Sequence, residues 1–274
     1  MKIFRDPAKL QKWARDRVRQ GKRIALVPTM GYLHEGHLSL IATAKKQKAD
    51  EIVVSIFVNP IQFGPKEDYA SYPRDEKADL AKCRKAGATA VFLPTPETMY
   101  APNASTTINE EHVSLGYCGA RRPGHFRGVC TVVGKLMNLV TPDIAVFGQK
   151  DYQQAQVIRR MVRDLNFGVK IVVAPIVRES TGLARSSRNT YLTDDEKARA
   201  TALSKALAAV KTGATVAAET KKIAKILEKA DLKVDYIAFA DGETLEEVRK
   251  TAKGVVVLLA VYCGKTRLID NRVL

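Results

Sequence analysis

His34 and His37 stand three residues apart in VPTMGYLHEGHLSL (residues 27–40), between Gly31 and Gly36, in a chain that has only four histidines. The apolar, β-branched RIALVPTM leading into this stretch reads as a buried strand, and the spacing of Leu38, Leu40, Ile41 and Ala44 beyond it reads as a helix. The pair therefore falls in a strand-to-helix turn. There the first N–H groups of the helix lack partners and attract anions, phosphate above all. Glycine permits close approach of a ligand to the backbone. A single histidine here reads as a helix cap, whereas two between glycines favour a phosphate site. A metal site is the competing chemistry, but the i, i+3 spacing is not that of H-E-x-x-H and no further ligand stands nearby.

Other polar stretches carry compatible chemistry. Lys150 and Asp151 open a helix directly after DIAVFG. An Asp at that place complements the helix dipole, whereas a Lys opposes it and needs another partner, which a phosphate supplies. LARSSRN (residues 183–189) sets two hydroxyls and two arginines beside Gly182; it reads as a mobile clamp on polyphosphate, with a solvated loop as the plain alternative. RRPGHFRG (residues 121–128) is a second basic, glycine-bounded loop, equally consistent with a subunit contact and an anion site. Gln62 and Gln154 are uncharged donor–acceptors suited to hydroxyls and a carbonyl. Asp79, on the helix after YPRD, is a candidate Mg²⁺ ligand, and His112 reads as structural. The chain has no G-x-G-x-x-G fingerprint, no Walker A motif and no Ser-His-Asp or Cys-His constellation.

The elements that must position these residues alternate. Strands are predicted over 23–30, 52–58, 89–93, 143–148 and 170–177, with helices over 37–48, 75–86, 127–140 and 151–166 and an irregular stretch at 94–124. This is the pattern of an α/β, Rossmann-like parallel sheet with helices on both faces. The polar stretches follow its strands, at the edge where open α/β sheets bind ligands. After Val177 the pattern changes to a polar loop, Ala/Lys-rich helices over 194–212 and 215–230, and strands near 233–240 and 254–262. We read a first domain over 1–176 and a smaller C-terminal α+β domain over 177–274.

Hydrophobic residues make up 46% of the 274, as in a globular chain. The longest apolar runs, IVVSIFV and VVVLLAVYC, are too short to span a membrane, and MKIFRDPAKLQKW lacks the apolar core of a signal peptide, so the expected location is cytosolic, with no membrane partner. Cys83, Cys118, Cys130 and Cys263 form no C-x-x-C pair and read as reduced thiols. Lys and Arg number 45 against 29 Asp and Glu, for a net +16 and no run of five like charges. Such a field steers anionic small molecules or favours non-specific nucleic-acid contact. Aromatic residues are only 7% and are not interleaved with the basic ones, which argues against an RNA-binding module and any nucleic-acid partner.

Taken in order, PTMGYLHEGH, SIFVNPIQF, YPRD, RPGHFRGV, PDIAVFGQKDYQQ, GLARSSRNTYL and TRLIDN resemble the pantothenate synthetase family from one end of the chain to the other. His-x-Gly-His alone marks only the wider class of nucleotidyl-transferring Rossmann folds, and a nucleotidylyltransferase is the alternative reading. The resemblance implies ATP-dependent condensation of (R)-pantoate with β-alanine to pantothenate, AMP and diphosphate through pantoyl adenylate, with a Mg²⁺ requirement and a homodimer. It implies a first domain that binds ATP and pantoate, and a second that acts as lid or clamp. It places ATP at Met30, Gly31, Tyr32, Leu33, His34, Glu35, Gly36 and His37, with His37 as proton donor. Gly148, Gln149, Lys150, Asp151 and Val177 would line the nucleotide, while Arg185, Ser186, Ser187 and Arg188 would close on its phosphates. Gln62 would contact pantoate and β-alanine, Gln154 would contact pantoate, and Asp79 matches the magnesium-associated position. His34, His37, Lys150, Ser186, Ser187 and Arg188 would then be the preorganised donors for the charge that builds during adenylation. Gln149 departs from the usual Glu in FGEKD, Arg185 from the usual Met or Leu before SSRN, and Ala78 and Lys82 leave the magnesium position thinly supported.

Overall fold

The computed structural model describes residues 1–65 and 67–274. Two compact units divide them: Met1–Gly148 with Val157–Ala174, and Gln149–Gln156 with Pro175–Leu274.

The first unit is a six-stranded, all-parallel sheet of β1 (Lys2–Phe4), β2 (Ile24–Thr29), β3 (Glu51–Ile56), β4 (Ala90–Phe92), β5 (Ile144–Gly148) and β6 (Lys170–Ala174). The spatial order is β1-β4-β3-β2-β5-β6. Its helices are α1 (Pro7–Arg19), α2 (Glu35–Lys46), α3 (Glu76–Ala86), α4 (Pro96–Met99), α5 (Tyr117–Arg121), α6 (His125–Val140) and the later part of α7 (Tyr152–Asp164). Ile24, Ala25, Leu26 and Val27 of β2 are fully buried, as the continuous apolar run requires of a central parallel strand. Strand order runs outward from β2 through β3 and β4, then returns to β5 on the other side of β2. The carboxyl ends of β2 and β5 thus flank the topological switch point, where open α/β sheets bind ligands.

The second unit has a three-stranded antiparallel sheet of β7 (Lys233–Asp241), β8 (Val255–Cys263) and β9 (Thr266–Val273), in that spatial order. Helices α8 (Asp194–Ala200), α9 (Ala202–Ala208) and α10 (Val216–Lys229) supply Ala200, Leu203, Leu207, Ile223 and Leu227 to a core shared with Val257, Leu259 and Val261 of β8.

The expected α/β class, Rossmann-like sheet and smaller α+β unit are present. Four details differ from the sequence reading. Strand β1 and helix α1 lie in a stretch read only for its lack of a signal peptide. The helix expected over 194–212 is two, with Thr201 as the cap between them. Strand β9 is absent from the sequence reading, because TRLIDNRV is too polar to announce a buried strand. A single boundary at 176/177 also leaves Gln149–Gln156 in the first domain, whereas that segment packs with the second unit, Tyr152 Oη donating to the Gly242 carbonyl at 2.8 Å.

No helix among the described residues is long and apolar enough to cross a membrane. All four cysteines are free thiols.

Candidate active site

Gly31 leaves β2 at φ +85°, and Tyr32 follows at φ 48°. A Cβ on Gly31 would lie 2.9 Å from Ile56 Cγ2 and 3.1 Å from Asp79 Oδ2, so the turn needs glycine for both conformation and space. His34 caps α2. Its Nδ1 accepts the Gly36 N–H at 3.1 Å, while its own backbone N–H donates to His37 Nδ1 at 3.2 Å. This is a capping box built from two histidines, and it explains the three-residue spacing. With both Nδ1 atoms accepting, the proton of each neutral ring sits on Nε2. The half-buried rings are 4.1 Å apart, tilted by 36°. The structural and chemical readings of the pair therefore use opposite sides of each ring.

Asp79 is 1% exposed in α3, and its two oxygens accept the N–H groups of Tyr32 and Leu33, each at 2.7 Å. Lys82 Nζ donates to the Leu33 carbonyl at 2.6 Å. Burial raises the Asp79 pKa above the ordinary aspartate value even though both N–H bonds and the Lys82 charge act to lower it. The carboxylate read from sequence as a Mg²⁺ ligand is thus committed to the backbone of the turn, with an ammonium one helical turn away. A hard cation needs oxygen ligands that it can reach, and Asp79 does not fit that role. Among the described residues, no group of three or more His, Cys, Asp or Glu is placed to hold a metal.

Gln62 ends the 3₁₀ turn Pro60–Gln62 after β3 and is 8% exposed. Asn59 Nδ2 donates to Gln62 Oε1 at 3.1 Å, and Gln62 Nε2 reaches Met30 Sδ at 3.0 Å, linking this side chain to the turn after β2. Asn59 Nδ2 also donates to the Gly128 carbonyl, and Tyr100 Oη donates to Asn59 Oδ1. Helix α6 comes so close to this turn that a Cβ on Gly128 would collide with the Ile61 carbonyl and lie 2.7 Å from Gln62 Cα.

The loop RRPGHFRG, for which the sequence allows two readings, serves the same turn. Arg122 Nη1 lies 2.9 Å from His125 Nε2, and His125 Nδ1 lies 2.9 Å from the Gln62 carbonyl. Since a guanidinium only donates, Nε2 accepts, and Nδ1 carries the proton that bonds Gln62. Arg122 also pairs with Glu67 at 2.5 Å. Asn59, Tyr100, Arg122 and His125 are supports that neither composition nor spacing could assign. His112 is exposed, and its N–H is one of three that bond the Glu110 carboxylate.

In the second unit, Gln149, Lys150 and Asp151 form a 3₁₀ turn directly after Gly148. Lys150 Nζ is 3.5 Å from Asp151 Oδ1 and its side chain is 21% exposed. Gln154 is half-buried in the first turns of α7. Residues 177–185 double back on themselves: Arg185 N–H donates to the Val177 carbonyl at 2.9 Å, and Arg178 bridges Ala184. Ser186 caps the 3₁₀ turn Ser187–Tyr191, its Oγ accepting the Arg188 N–H at 3.3 Å. Ser187 is buried and Arg188 half-buried. Arg185 pairs with Glu179 within the same loop at 3.6 Å.

The first unit thus offers a glycine turn with two oriented imidazoles and a pinned amide. The second offers a lysine turn and a loop of hydroxyls and guanidinium groups. Each set by itself suits an anionic ligand. Comparison with known proteins points the same way. The family model described as pantoate-beta-alanine ligase matches residues 2–273. The pantothenate synthetase of Clostridium acetobutylicum is 50% identical over 277 residues, covering 99% of this chain and 98% of its own. That of Thermus thermophilus has a crystal structure that matches with a TM-score of 0.92 at 40% identity, with 99% of each chain covered. The pantoate-beta-alanine ligase of Francisella tularensis, crystallised with beta-gamma ATP and beta-alanine, matches with a TM-score of 0.84 at 33% identity over 100% of this chain and 97% of its own.

Proposed function

This chain belongs to the pantoate–β-alanine ligase family of ATP-dependent ligases, and we propose that it joins (R)-pantoate to β-alanine in two steps through pantoyl adenylate. In the first step a pantoate carboxylate oxygen attacks the α-phosphorus of MgATP and diphosphate leaves. In the second the neutral amine of β-alanine attacks the pantoyl carbonyl carbon. AMP departs with the electron pair of the C–O bond, the nitrogen loses a proton, and the amide of pantothenate remains. A carboxylate is a poor electrophile, and adenylation supplies its leaving group. No protein nucleophile is required.

The observation that carries this reading is the double-histidine cap. It directs protonated Nε2 atoms away from the helix, as donors for oxygens that gain charge while diphosphate leaves, and electrostatic preorganisation of this kind is commonly the largest catalytic contribution. Lys150, Ser186, Ser187 and Arg188 act on the same charge. His37 is the proton donor of the pair. Met30, Gly31, Tyr32, Leu33, Glu35 and Gly36 of the turn, with Gly148, Gln149, Asp151, Val177 and Arg185, accompany the nucleotide. Gln62 reads pantoate and β-alanine, and Gln154 reads pantoate. Mg²⁺ enters as part of the substrate, carried by the phosphates. The working form is a cytosolic homodimer. The test is an assay with pantoate, β-alanine and MgATP that follows AMP; release dependent on both acids supports the reading, and its absence overturns it.

A further inference from the structure

Asn271 lies in β9, 2% exposed and 121 residues from Lys150 along the chain. Its Nδ2 donates to the carbonyls of both Gln149 and Lys150, each at 2.9 Å, and its Oδ1 accepts from Gln149 Nε2 at 3.2 Å. Three hydrogen bonds of one buried side-chain amide fall on two residues of one turn, Gln149 and Lys150. The preceding residue does a parallel job. Asp270, 3% exposed, takes Arg178 with both oxygens at 2.6 and 3.0 Å, and Arg178 also donates to the Gly182 carbonyl at 3.1 Å. Asp270 Oδ1 accepts the Asn271 N–H as well, at 2.8 Å. Successive strand residues face opposite ways. One dipeptide thereby references two segments, the turn that carries Lys150 and the base of the loop that carries Ser186 and Arg188.

We propose that Asn271 is a positioning residue for adenylation, acting through Lys150: it fixes the backbone from which the ammonium reaches the triphosphate. The inference rests on the proposed ligase reaction. The turn Gln149–Asp151 is the short 3₁₀ start that leads into α7, and the carbonyls of its first two residues each take a buried side-chain donor. Asn271 supplies two. Removing them frees the backbone under Lys150, and a displacement near 1 Å in a positioning element costs about 10²-fold in rate. The step that expels diphosphate should feel it far more than the step that follows, because only the first has the contact of Lys150 with the leaving group.

The experiment uses the full chain. Wild-type AMP release that needs both pantoate and β-alanine comes first, and its absence would end the ligase reading whatever Asn271 does. Asn271→Ala is then expected to lower the diphosphate burst from pantoate and MgATP by about 10²-fold. The same variant should turn over presynthesised pantoyl adenylate plus β-alanine within about threefold of wild type, since the Lys150 contact is absent from that half. In a Lys150→Ala background, Asn271→Ala should cost less than about twofold more, because residues that act through one another are not additive. Equal slowing of both halves, or a full second penalty on top of Lys150→Ala, would overturn the proposal and leave Asn271 as a general fold tie. Asn271→Ser, which keeps one donor, is run alongside; if the alanine variant does not fold, the same split and the same cycle on the serine variant decide the matter, with a smaller burst loss expected.

Discussion

His37 Nδ1 accepts the backbone N–H of His34 at 3.2 Å, while His34 Nδ1 accepts that of Gly36 at 3.1 Å, so both imidazoles close the first turn of α2. Cap and catalyst are separable by substitution. His34→Asn keeps a good N-cap acceptor but removes the Nε2 donor. Its thermal midpoint should stay near wild type while adenylation falls by about 10²–10³-fold, the range for one lost preorganised donor. His34→Ala should lose the rate and roughly 1 kcal/mol of stability besides. An asparagine variant with near-normal turnover would return His34 to a purely structural role.

Asp79→Asn tests the carboxylate beneath the turn. An amide nitrogen cannot accept, so one of the two N–H groups of Tyr32 and Leu33 loses its partner, a loss of about 1–3 kcal/mol at a buried site. Stability should drop, and KM for MgATP should rise. The MgCl₂ concentration that gives half-maximal rate should be unchanged, because this side chain serves the turn and not the ion. A shift in that concentration would restore Asp79 as a magnesium ligand.

Gly128→Ala should act at a distance through Gln62, the proposed pantoate contact. The added methyl group meets the Ile61 carbonyl, so helix α6 or the Pro60–Gln62 turn must move. Gln62 then loses its register with Asn59 and Met30. KM for pantoate should rise by about tenfold or more while binding of AMP alone, measured by calorimetry, is little changed.

Glu67 and Arg122 give the protein an acid-side dependence with a definite sign. Burial pushes the Glu67 pKa up, but the hydrogen bond and charge of Arg122 outweigh it and hold the group below its usual 4.5. A lowered folded pKa contributes stability that is complete above the unfolded value and is lost as pH falls through the folded one. Glu67→Gln should therefore cost stability at neutral pH and much less at about pH 3, and denaturant midpoints at the two pH values measure the difference.

The thiols should differ in reactivity. Burial pushes the pKa of both Cys83 and Cys130 up to about 12, and raises that of Cys263. Cys118 is the one cysteine that is not buried. Alkylation of the native protein at neutral pH should label Cys118 first, with the other three following only on unfolding, as peptide mapping would read directly. Early labelling of Cys83 would mean that the α3 side of the sheet opens far more readily than its burial implies.

Sequence by itself determined five of the six strands of the sheet, their parallel sense, and the stretches at their ends, because buried parallel strands are continuous apolar runs. It also marked His34, His37 and Lys150, whose residue types are anomalous for their local setting: paired histidines at a helix start, a cation at the wrong end of a dipole. What holds those residues was decided only in three dimensions. Asp79 looked like any acidic residue in the first turn of a helix until the chain folded it under Tyr32 and Leu33. His125 gave no sign that it bonds the Gln62 carbonyl 63 residues away. Asp270 and Asn271 sit in a stretch whose polarity hid the strand itself, since their burial is compensated by Arg178 and by the Gln149 and Lys150 carbonyls and not by local apolar neighbours. Periodicity records which face of an element meets the core. It carries no trace of a hydrogen bond whose two ends are brought together only when separate elements pack.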